Sequence, residues 1–241
     1  MWTPSALASE FQAYRERVWR VVEAQHRIST NRLASSLEDQ RILEELADAV
    51  KPELPRDARH LHYLLASPFR YGHRSASRFR RADERPGIFY SSEHEATAIA
   101  ETAYWRLRFL SRSPGLTPPR TVTEHSSFSV ALRLDRLVDL TRPPLNRDAD
   151  AWVSDDYAPC QALAASARMA QAQAIRSFSA RDPAGRCNVA LLDPAGFADR
   201  APRTGKTWHL RIEGSPLIAL AAFPSDLQAR FTAEQFGLTI G

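Results

Sequence analysis

The chain has 241 residues, of which 44% are hydrophobic and 25% are charged, values that are ordinary for a soluble globular protein. No apolar run approaches the roughly 20 residues that a membrane span requires, and the N-terminal residues do not have the pattern of a secretory signal. Two cysteines, Cys160 and Cys187, are too few for a disulfide framework. We therefore expect a cytosolic protein.

The net charge of +4 comes almost wholly from arginine, because Lys51 and Lys206 are the only lysines. Such usage fits a GC-rich genome, but it also fits a function, since arginine guanidinium groups bind phosphates bidentately. No long basic face interleaved with aromatic residues is present, as a nucleic-acid binder would require. The composition therefore favours a small phosphate-bearing ligand over a nucleic acid.

The N-terminal residues predict a helical hairpin. Residues 5–27 carry apolar side chains at helical spacing, which predicts one amphipathic helix; these are Leu7, Phe11, Tyr14, Val18 and Val21. Ser36 and Asp39 form a capping pattern that opens a second helix. We expect residues 1–58 to form a helical extension outside a catalytic domain of residues 59–241.

The segment that follows combines charge and aromatic character. Six arginines precede a short strand at residues 87–90; they are Arg70, Arg74, Arg78, Arg80, Arg81 and Arg85. A helix is predicted at about 93–110, capped by Ser91 or Ser92, and it carries Glu101 among small and apolar neighbours. A basic loop, an aromatic strand end and an isolated carboxylate together predict a site for an anionic, aromatic ligand.

The second half of the chain predicts a mixture of strands and helices. In chain order these are strands within 128–140 with a turn at Asp135–Arg136, a long loop at 141–159, a helix at 161–173, a hairpin of 178–181 with 187–192, a strand at 207–213 and an apolar tail packed on the sheet.

Two other patterns do not predict a site. His60 and His62 would share one face of a strand, but no cysteine or carboxylate lies nearby at ligand spacing, so no metal is expected. No G-x-S-x-G motif surrounds Ser179, and no order of aspartate, histidine and serine marks a hydrolase triad.

Six short motifs together resemble the RES-domain toxins of bacterial toxin–antitoxin systems. In chain order they are PFRY (68–71), SRFR (77–80), PGIFYSS (86–92), TAIAE (97–101), SFSAR (177–181) and CNVALL (187–192). The resemblance spans roughly residues 60–195. Many members have Gly-Arg-Trp-Asn where this chain has SRFR, and Tyr-Pro-Ser where it has residues 177–179. These variant motif sequences resemble those of the subgroup with a helical N-terminal extension.

The resemblance implies a fold, an activity and a partner. The fold would be α/β (α+β), like that of ADP-ribosyltransferases of the diphtheria-toxin kind, with a split mixed β-sheet surrounded by helices. Family members consume NAD, some by hydrolysis or phosphorolysis and some by transferring ADP-ribose to a protein. Each is normally held inactive by a cognate Xre-like antitoxin. A non-catalytic module that binds a nucleotide or an antitoxin is an alternative, whereas no catalytic histidine arrangement supports an RNA-cleaving toxin.

The resemblance also assigns roles to residues. The arginine, glutamate and serine of the family name correspond to Arg70 (or Arg78), Glu101 and Ser179, and the strand tyrosine corresponds to Tyr90. Glu101 would stabilise positive charge on the ribose, and the two arginines would bind the diphosphate. Tyr90 would stack on the cationic nicotinamide ring, and Ser179 would bind the amide or a ribose hydroxyl. Further candidates for contact with NAD are Tyr71, Arg181 and Asn188.

Overall fold

The computed structural model describes residues 2–24, 36–49, 51–113, 122–212 and 216–239. Helices lie at α1 (Pro4–Ala8), α2 (Leu37–Ala49), α3 (Tyr63–Arg70), α4 (Glu95–Ser111), α5 (Ala149–Val153) and α6 (Ala158–Met169). Strands lie at β1 (Gln12–Tyr14), β2 (Arg17–Glu23), β3 (Phe89–Ser92), β4 (Thr123–Ala131), β5 (Leu134–Asp139), β6 (Ala174–Phe178), β7 (Cys187–Leu191), β8 (Arg203–Ile212), β9 (Leu217–Ala221) and β10 (Gln228–Phe231). Among these described residues, no helix is long and apolar enough to cross a membrane.

The strands form a mixed sheet in the order β1-β5-β6-β7-β3-β2-β4-β8-β9-β10. The β5–β6 pair is parallel and the other neighbouring strands in this order are antiparallel, so the predicted mixed α/β class is confirmed. Within the described residues, β2 and β3 pair at a single position, Trp19 opposite Ser92. The split of the sheet lies here, and its two halves remain hydrogen-bonded through this position.

Helices cover both halves of the sheet. On the half that contains β5, β6 and β7, one face packs against α3 through Leu65, Ala66 and Phe69. The opposite face packs against α5 and α6, where Trp152, Leu163 and Ala167 are buried. On the other half, α4 buries Ile99, Ala103 and Leu107 against β8, β9 and β10. The sequence predicts a tail packed on the sheet, but its residues form the strands β9 and β10 of the sheet itself.

The prediction of a helix over residues 5–27 is wrong. This segment forms the short helix α1 and the strands β1 and β2, and β2 lies between β3 and β4 in the middle of the sheet. Val18, Trp19, Val21 and Val22 favour a strand because β-branched and aromatic side chains pack well on a pleated surface. Pairing along its length with β4 outweighs the helical spacing. Of the described part of the predicted hairpin, α2 and the short α1 are helical, and β1 and β2 belong to the same sheet as the rest.

Two local predictions also need correction. Ser91 and Ser92 lie within β3 and do not cap α4, whose N-cap is His94. The turn between β4 and β5 falls at Leu132–Arg133, three residues before the predicted one, because Leu134 is buried and Asp135 and Arg136 lie inside β5. The predicted helix at 161–173 is α6, and β6 with β7 forms the predicted antiparallel hairpin.

Candidate active site at the split of the sheet

A cleft of about 670 Å³ opens where β2 and β3 part. This volume lies within the range of pockets that hold small molecules. Both sheet halves, α4 and the loop before α6 contribute its walls, and its lining includes Arg20, Tyr90, Glu101, Tyr104, Tyr157 and Asn188. A single paired position between the two strands thus leaves room for a ligand inside the sheet.

Glu101 is held in the cleft by two hydrogen bonds to one of its oxygens. Oε1 accepts from Ser179 Oγ at 2.7 Å and from Asn188 Nδ2 at 2.6 Å. Asn188 Oδ1 in turn accepts from Ser92 Oγ at 2.6 Å. We call these four side chains the Glu101 cluster. Three separate elements and the β6–β7 turn supply them, so the cluster exists only in the folded protein.

The turn after β6 fixes the direction of the Ser179 hydroxyl. Ser179 Oγ accepts hydrogen bonds from the backbone N–H groups of Arg181 and Asp182, both at 3.1 Å, while it donates to Glu101. The Asp182 carboxylate accepts from Thr97 Oγ1 of α4 at 2.6 Å and from Arg186 Nε at 2.7 Å. The turn is therefore tied to the helix that carries Glu101.

The basic loop (residues 72–87) uses part of its own charge to hold its shape. Arg80 is 3% exposed, and its guanidinium donates to the carbonyls of His73, Ser75 and Arg81. At the base of this loop, a Cβ on Gly87 would lie 1.9 Å from the Pro68 carbonyl oxygen, so only glycine fits against the end of α3. The loop is thereby pressed onto α3 and faces the cleft.

Arg78 lines the cleft but binds the backbone of the protein. Its Nη1 donates to the carbonyls of Trp152 and Ser154 at 2.7 and 2.8 Å, and its guanidinium lies 5.0 Å from the Tyr157 ring. These contacts fix the loop between α5 and α6 against the basic loop. The predicted contact of Arg78 with a diphosphate stays a prediction.

Tyr90 and Arg181 are both immobilised at the wall of the cleft. The Tyr90 hydroxyl is 2.8 Å from Ser77 Oγ and accepts from the Phe79 N–H at 3.2 Å. Burial raises the pKa of Tyr90, although these hydrogen bonds oppose the shift, so the phenol stays neutral. Arg181 lies 3.8 Å from the Tyr104 ring centroid and pairs with Asp155 at 2.6 Å. The Tyr90 ring and the Arg181 guanidinium are therefore both held in place by contacts within the protein.

Arg20 is a candidate that the sequence analysis missed. It lies on β2 at the cleft, its Nη1 is 3.4 Å from the Tyr90 carbonyl, and its guanidinium is 5.0 Å from the Phe89 ring. In the part of the chain that the structure describes, no carboxylate pairs with it. Burial lowers the pKa of Arg20 to about 10, so it remains a cation at neutral pH. The β-branched and aromatic residues of the segment 17–23 are the signal that could have predicted a strand there, and the fold then places Arg20 of this strand at the cleft.

The described residues contain no group of three or more histidine, cysteine, aspartate or glutamate side chains that could hold a metal ion. His62 instead accepts the Leu64 N–H at the start of α3. Both cysteines are free and buried.

The comparison with protein families shows to which family the chain belongs. The model of the RES domain matches residues 54–213, well over half of the chain. The chain belongs to the RES-domain family. A search of curated proteins found no match. Among solved structures, the crystal structure of the M. tuberculosis MbcT–MbcA toxin–antitoxin complex is similar, with 12% identity, a TM-score of 0.47, and coverage of 85% of this chain and 92% of the other.

The structure brings together part of the predicted RES site. Glu101, Ser179 and Asn188 are hydrogen-bonded, and Arg78, Tyr90 and Arg181 line the same cleft. Arg70 is the last residue of α3 and Tyr71 follows it, and neither is among the described residues that line the cleft. The functional roles of all eight residues stay predictions, and the position of Arg20 makes it an additional candidate for the cationic role.

Proposed function

We propose that this RES-domain chain is the toxin of a bacterial toxin–antitoxin system and that it cleaves NAD at the bond between nicotinamide and ribose. The observation that carries the proposal is the Glu101 carboxylate, which is held by Ser179 and Asn188 in a cleft lined by arginines. Among the described residues, the cleft lining contains Arg20, Arg74, Arg78, Arg80 and Arg181 and one acidic residue, Glu101. Such a site favours an anionic ligand on which one carboxylate acts.

Glu101 would act on the ribose. As the N-glycosidic bond breaks, its electron pair leaves with nicotinamide and positive charge develops at the ribose carbon. A fixed carboxylate stabilises that charge more strongly than it stabilises the ground state. Because Oε1 is bound by two donors and Oε2 accepts no hydrogen bond from the described residues, Oε2 is the atom that would meet a ribose hydroxyl.

Other residues of the cleft would hold the two ends of NAD. Arg20 is a half-buried cation without a carboxylate partner among the described residues, which suits a diphosphate. The Tyr90 ring, fixed through its hydroxyl, suits stacking on the nicotinamide cation. The new bond at the ribose carbon would be made by an oxygen of water or of phosphate, and a proton would be released when water attacks.

The family membership extends the proposal to a partner. We infer that a cognate Xre-like antitoxin binds this chain and holds the toxin inactive. The alternative within enzymes is a protein ADP-ribosyltransferase, in which the same site passes ADP-ribose to a side chain of a specific target.

The test is NAD loss with purified protein, with and without phosphate, beside Glu101→Gln and the exposed control Glu53→Gln. We expect wild type and Glu53→Gln to consume NAD and Glu101→Gln to lose at least about 10³-fold in rate. Circular dichroism and the melting temperature should match for all three. A phosphate-dependent rate indicates phosphorolysis, and a phosphate-independent rate indicates hydrolysis.

Two results would count against the proposal. A fully active Glu101→Gln would remove this residue from the mechanism. Without any NAD loss, labelled NAD would be added to a cell lysate, and transfer of label to one protein would support the ADP-ribosyltransferase instead. Expression of wild type but not of Glu101→Gln should slow bacterial growth, since NAD depletion stops metabolism.

A further inference from the structure

Asn188 lies between one side chain that accepts a hydrogen bond from its amide and another that donates one to it. Its Nδ2 donates to Glu101 Oε1 at 2.6 Å, and its Oδ1 accepts from Ser92 Oγ at 2.6 Å. An ionised carboxylate only accepts hydrogen bonds, so the amide must turn its NH₂ group toward Glu101. Its carbonyl then faces Ser92, whose hydroxyl must donate. The chemistry of the two neighbours therefore decides the orientation of the amide.

The sheet sets the distance between Ser92 and Asn188, whereas Glu101 lies on a helix. Ser92 of β3 and Asn188 of β7 are directly opposite each other in the antiparallel pair. Ser92 is 3% exposed, so water does not compete for its hydroxyl. The Asn188 amide, whose position is fixed by the sheet, thus holds the Glu101 carboxylate of α4 by a hydrogen bond.

We propose that Ser92 and Asn188 are positioning residues, which hold Glu101 Oε1 so that Oε2 points toward the ribose of the substrate. This inference rests on the proposed function, because it assigns the two residues to the cleavage step. It differs from the predicted role of Asn188 as a direct contact with NAD. Ser92 acts only through Asn188.

The decisive variant is Asn188→Asp. Two carboxyl groups at hydrogen-bond distance share a proton, so the new carboxyl group stays protonated to a higher pH than usual and can still donate to Glu101. As the pH rises, that proton is lost and the two groups repel. We expect activity within about tenfold of wild type at pH 5 and about 100-fold below it at pH 8.

Asn188→Ala and Ser92→Ala complete the kinetic test. We expect Asn188→Ala to lower kcat about 100-fold at every pH and Ser92→Ala to lower it about tenfold, with KM changed less than about threefold. The control is Ser91→Ala, since the Ser91 hydroxyl donates to the Val189 carbonyl and not to Asn188. It should keep the wild-type pH profile. His73 lines the cleft in every variant, so each profile is divided by that of wild type.

The charged and titratable groups around Glu101 are common to wild type and variants. Among the described residues they are Arg20, His73, Arg74, Arg78, Arg80, Tyr90, Tyr104, Tyr157 and Arg181 of the cleft lining, with Asp155 paired to Arg181 and Asp182 paired to Arg186. The variant-to-wild-type ratio therefore isolates the new carboxyl group.

A second readout does not depend on activity. In Asn188→Asp the pKa of the new carboxyl group is raised in the folded protein, so the native state keeps a proton that the unfolded chain has lost. Stability toward urea should then fall as the pH rises from 5 to 8. The double variant Asn188→Asp/Glu101→Gln should not show this fall, because an amide faces the new carboxylate.

The outcomes separate the two proposals. If wild type does not consume NAD, the proposed function fails, and the coupling in urea still decides whether Asn188 holds Glu101. If NAD is consumed but Asn188→Ala raises KM with kcat unchanged, Asn188 binds substrate directly and the positioning role is overturned. An Asn188→Asp variant whose ratio to wild type is the same at pH 5 and pH 8 would overturn it as well.

Discussion

Two arginines in the same sheet have opposite surroundings. Arg176 of β6 donates to both oxygens of Glu93 at 2.7 and 3.0 Å and lies 3.3 Å from Asp139 Oδ2. These hydrogen bonds raise the pKa of Arg176 above its usual value although burial opposes the shift. Arg20 of β2 has no carboxylate partner among the described residues, and burial lowers its pKa to about 10. Arg176 is paired with carboxylates of the protein, whereas the described residues offer Arg20 no carboxylate.

The difference in pairing indicates a structural role for Arg176 and is consistent with the binding role that we propose for Arg20. The Arg176 network also includes Tyr14, whose hydroxyl donates to Glu93, and Thr141, which accepts from Arg176 at 2.6 Å. It connects β1 with the end of β3 and with β6, and the last two adjoin Ser92 and Ser179 of the Glu101 cluster. Desolvation of a half-buried cation without a counter-charge costs free energy, so Arg20 is the arginine that the proposed anionic ligand would neutralise.

The largest expected effect is on stability, from Arg176→Ala. The change leaves Glu93 without its cation and Asp139 with Arg142 alone, at 3.5 Å. Breaking a buried ion pair from one side costs about 3 kcal/mol or more in the free energy of unfolding. Urea unfolding measures this loss, and the exposed Arg133→Ala should stay within about 0.5 kcal/mol of wild type. A loss below 1 kcal/mol for Arg176→Ala would contradict the structural role.

A smaller effect, on binding rather than stability, is expected from Arg20→Met. Loss of a charge-assisted contact with the diphosphate should weaken NAD binding roughly 10- to 100-fold. Stability should be unchanged or increased, because methionine is buried without a charge. Calorimetry in the Glu101→Gln background measures the affinity without turnover.

Arg78→Ala is the matched comparison for Arg20. Because Arg78 binds the carbonyls of Trp152 and Ser154, its loss should lower the melting temperature. If Arg78→Ala alone weakens NAD binding and Arg20→Met does not, the roles assigned by this comparison are reversed.

The smallest effect concerns Asp182, which pairs with a third arginine, Arg186, at 2.7 Å. Burial opposes ionisation of Asp182, but hydrogen bonds from Arg186, Thr97 and the Ala184 N–H outweigh it and lower its pKa. A lowered carboxyl pKa contributes stability that is present above the unfolded value of 3.8 and is lost as the pH falls through the folded value. Asp182→Asn should therefore cost about 1 kcal/mol at pH 7 and progressively less below pH 4. An equal cost at pH 7 and pH 3 in urea unfolding would contradict this.

The sequence predicted the elements that have strong local signals. The helix α4 with Glu101, the hairpin of β6 and β7 and the helix α6 follow from periodicity and turn residues, and the motifs within them predicted that Glu101, Ser179 and Asn188 belong to one site. These predictions depend on local spacing and on the order of motifs, which a sequence displays directly.

Other features depended on the tertiary structure. The residues of β2 have both helical and strand-like spacing, and pairing with β4 and β3, which are distant in sequence, decided between them. As part of β2, Arg20 then lies at the cleft. Sequence alone determined the composition, the family and the residue types of the site. The tertiary structure decided that Arg176 is paired with carboxylates and that Arg20 faces the cleft without one among the described residues, because charge pairing depends on distance in the folded chain.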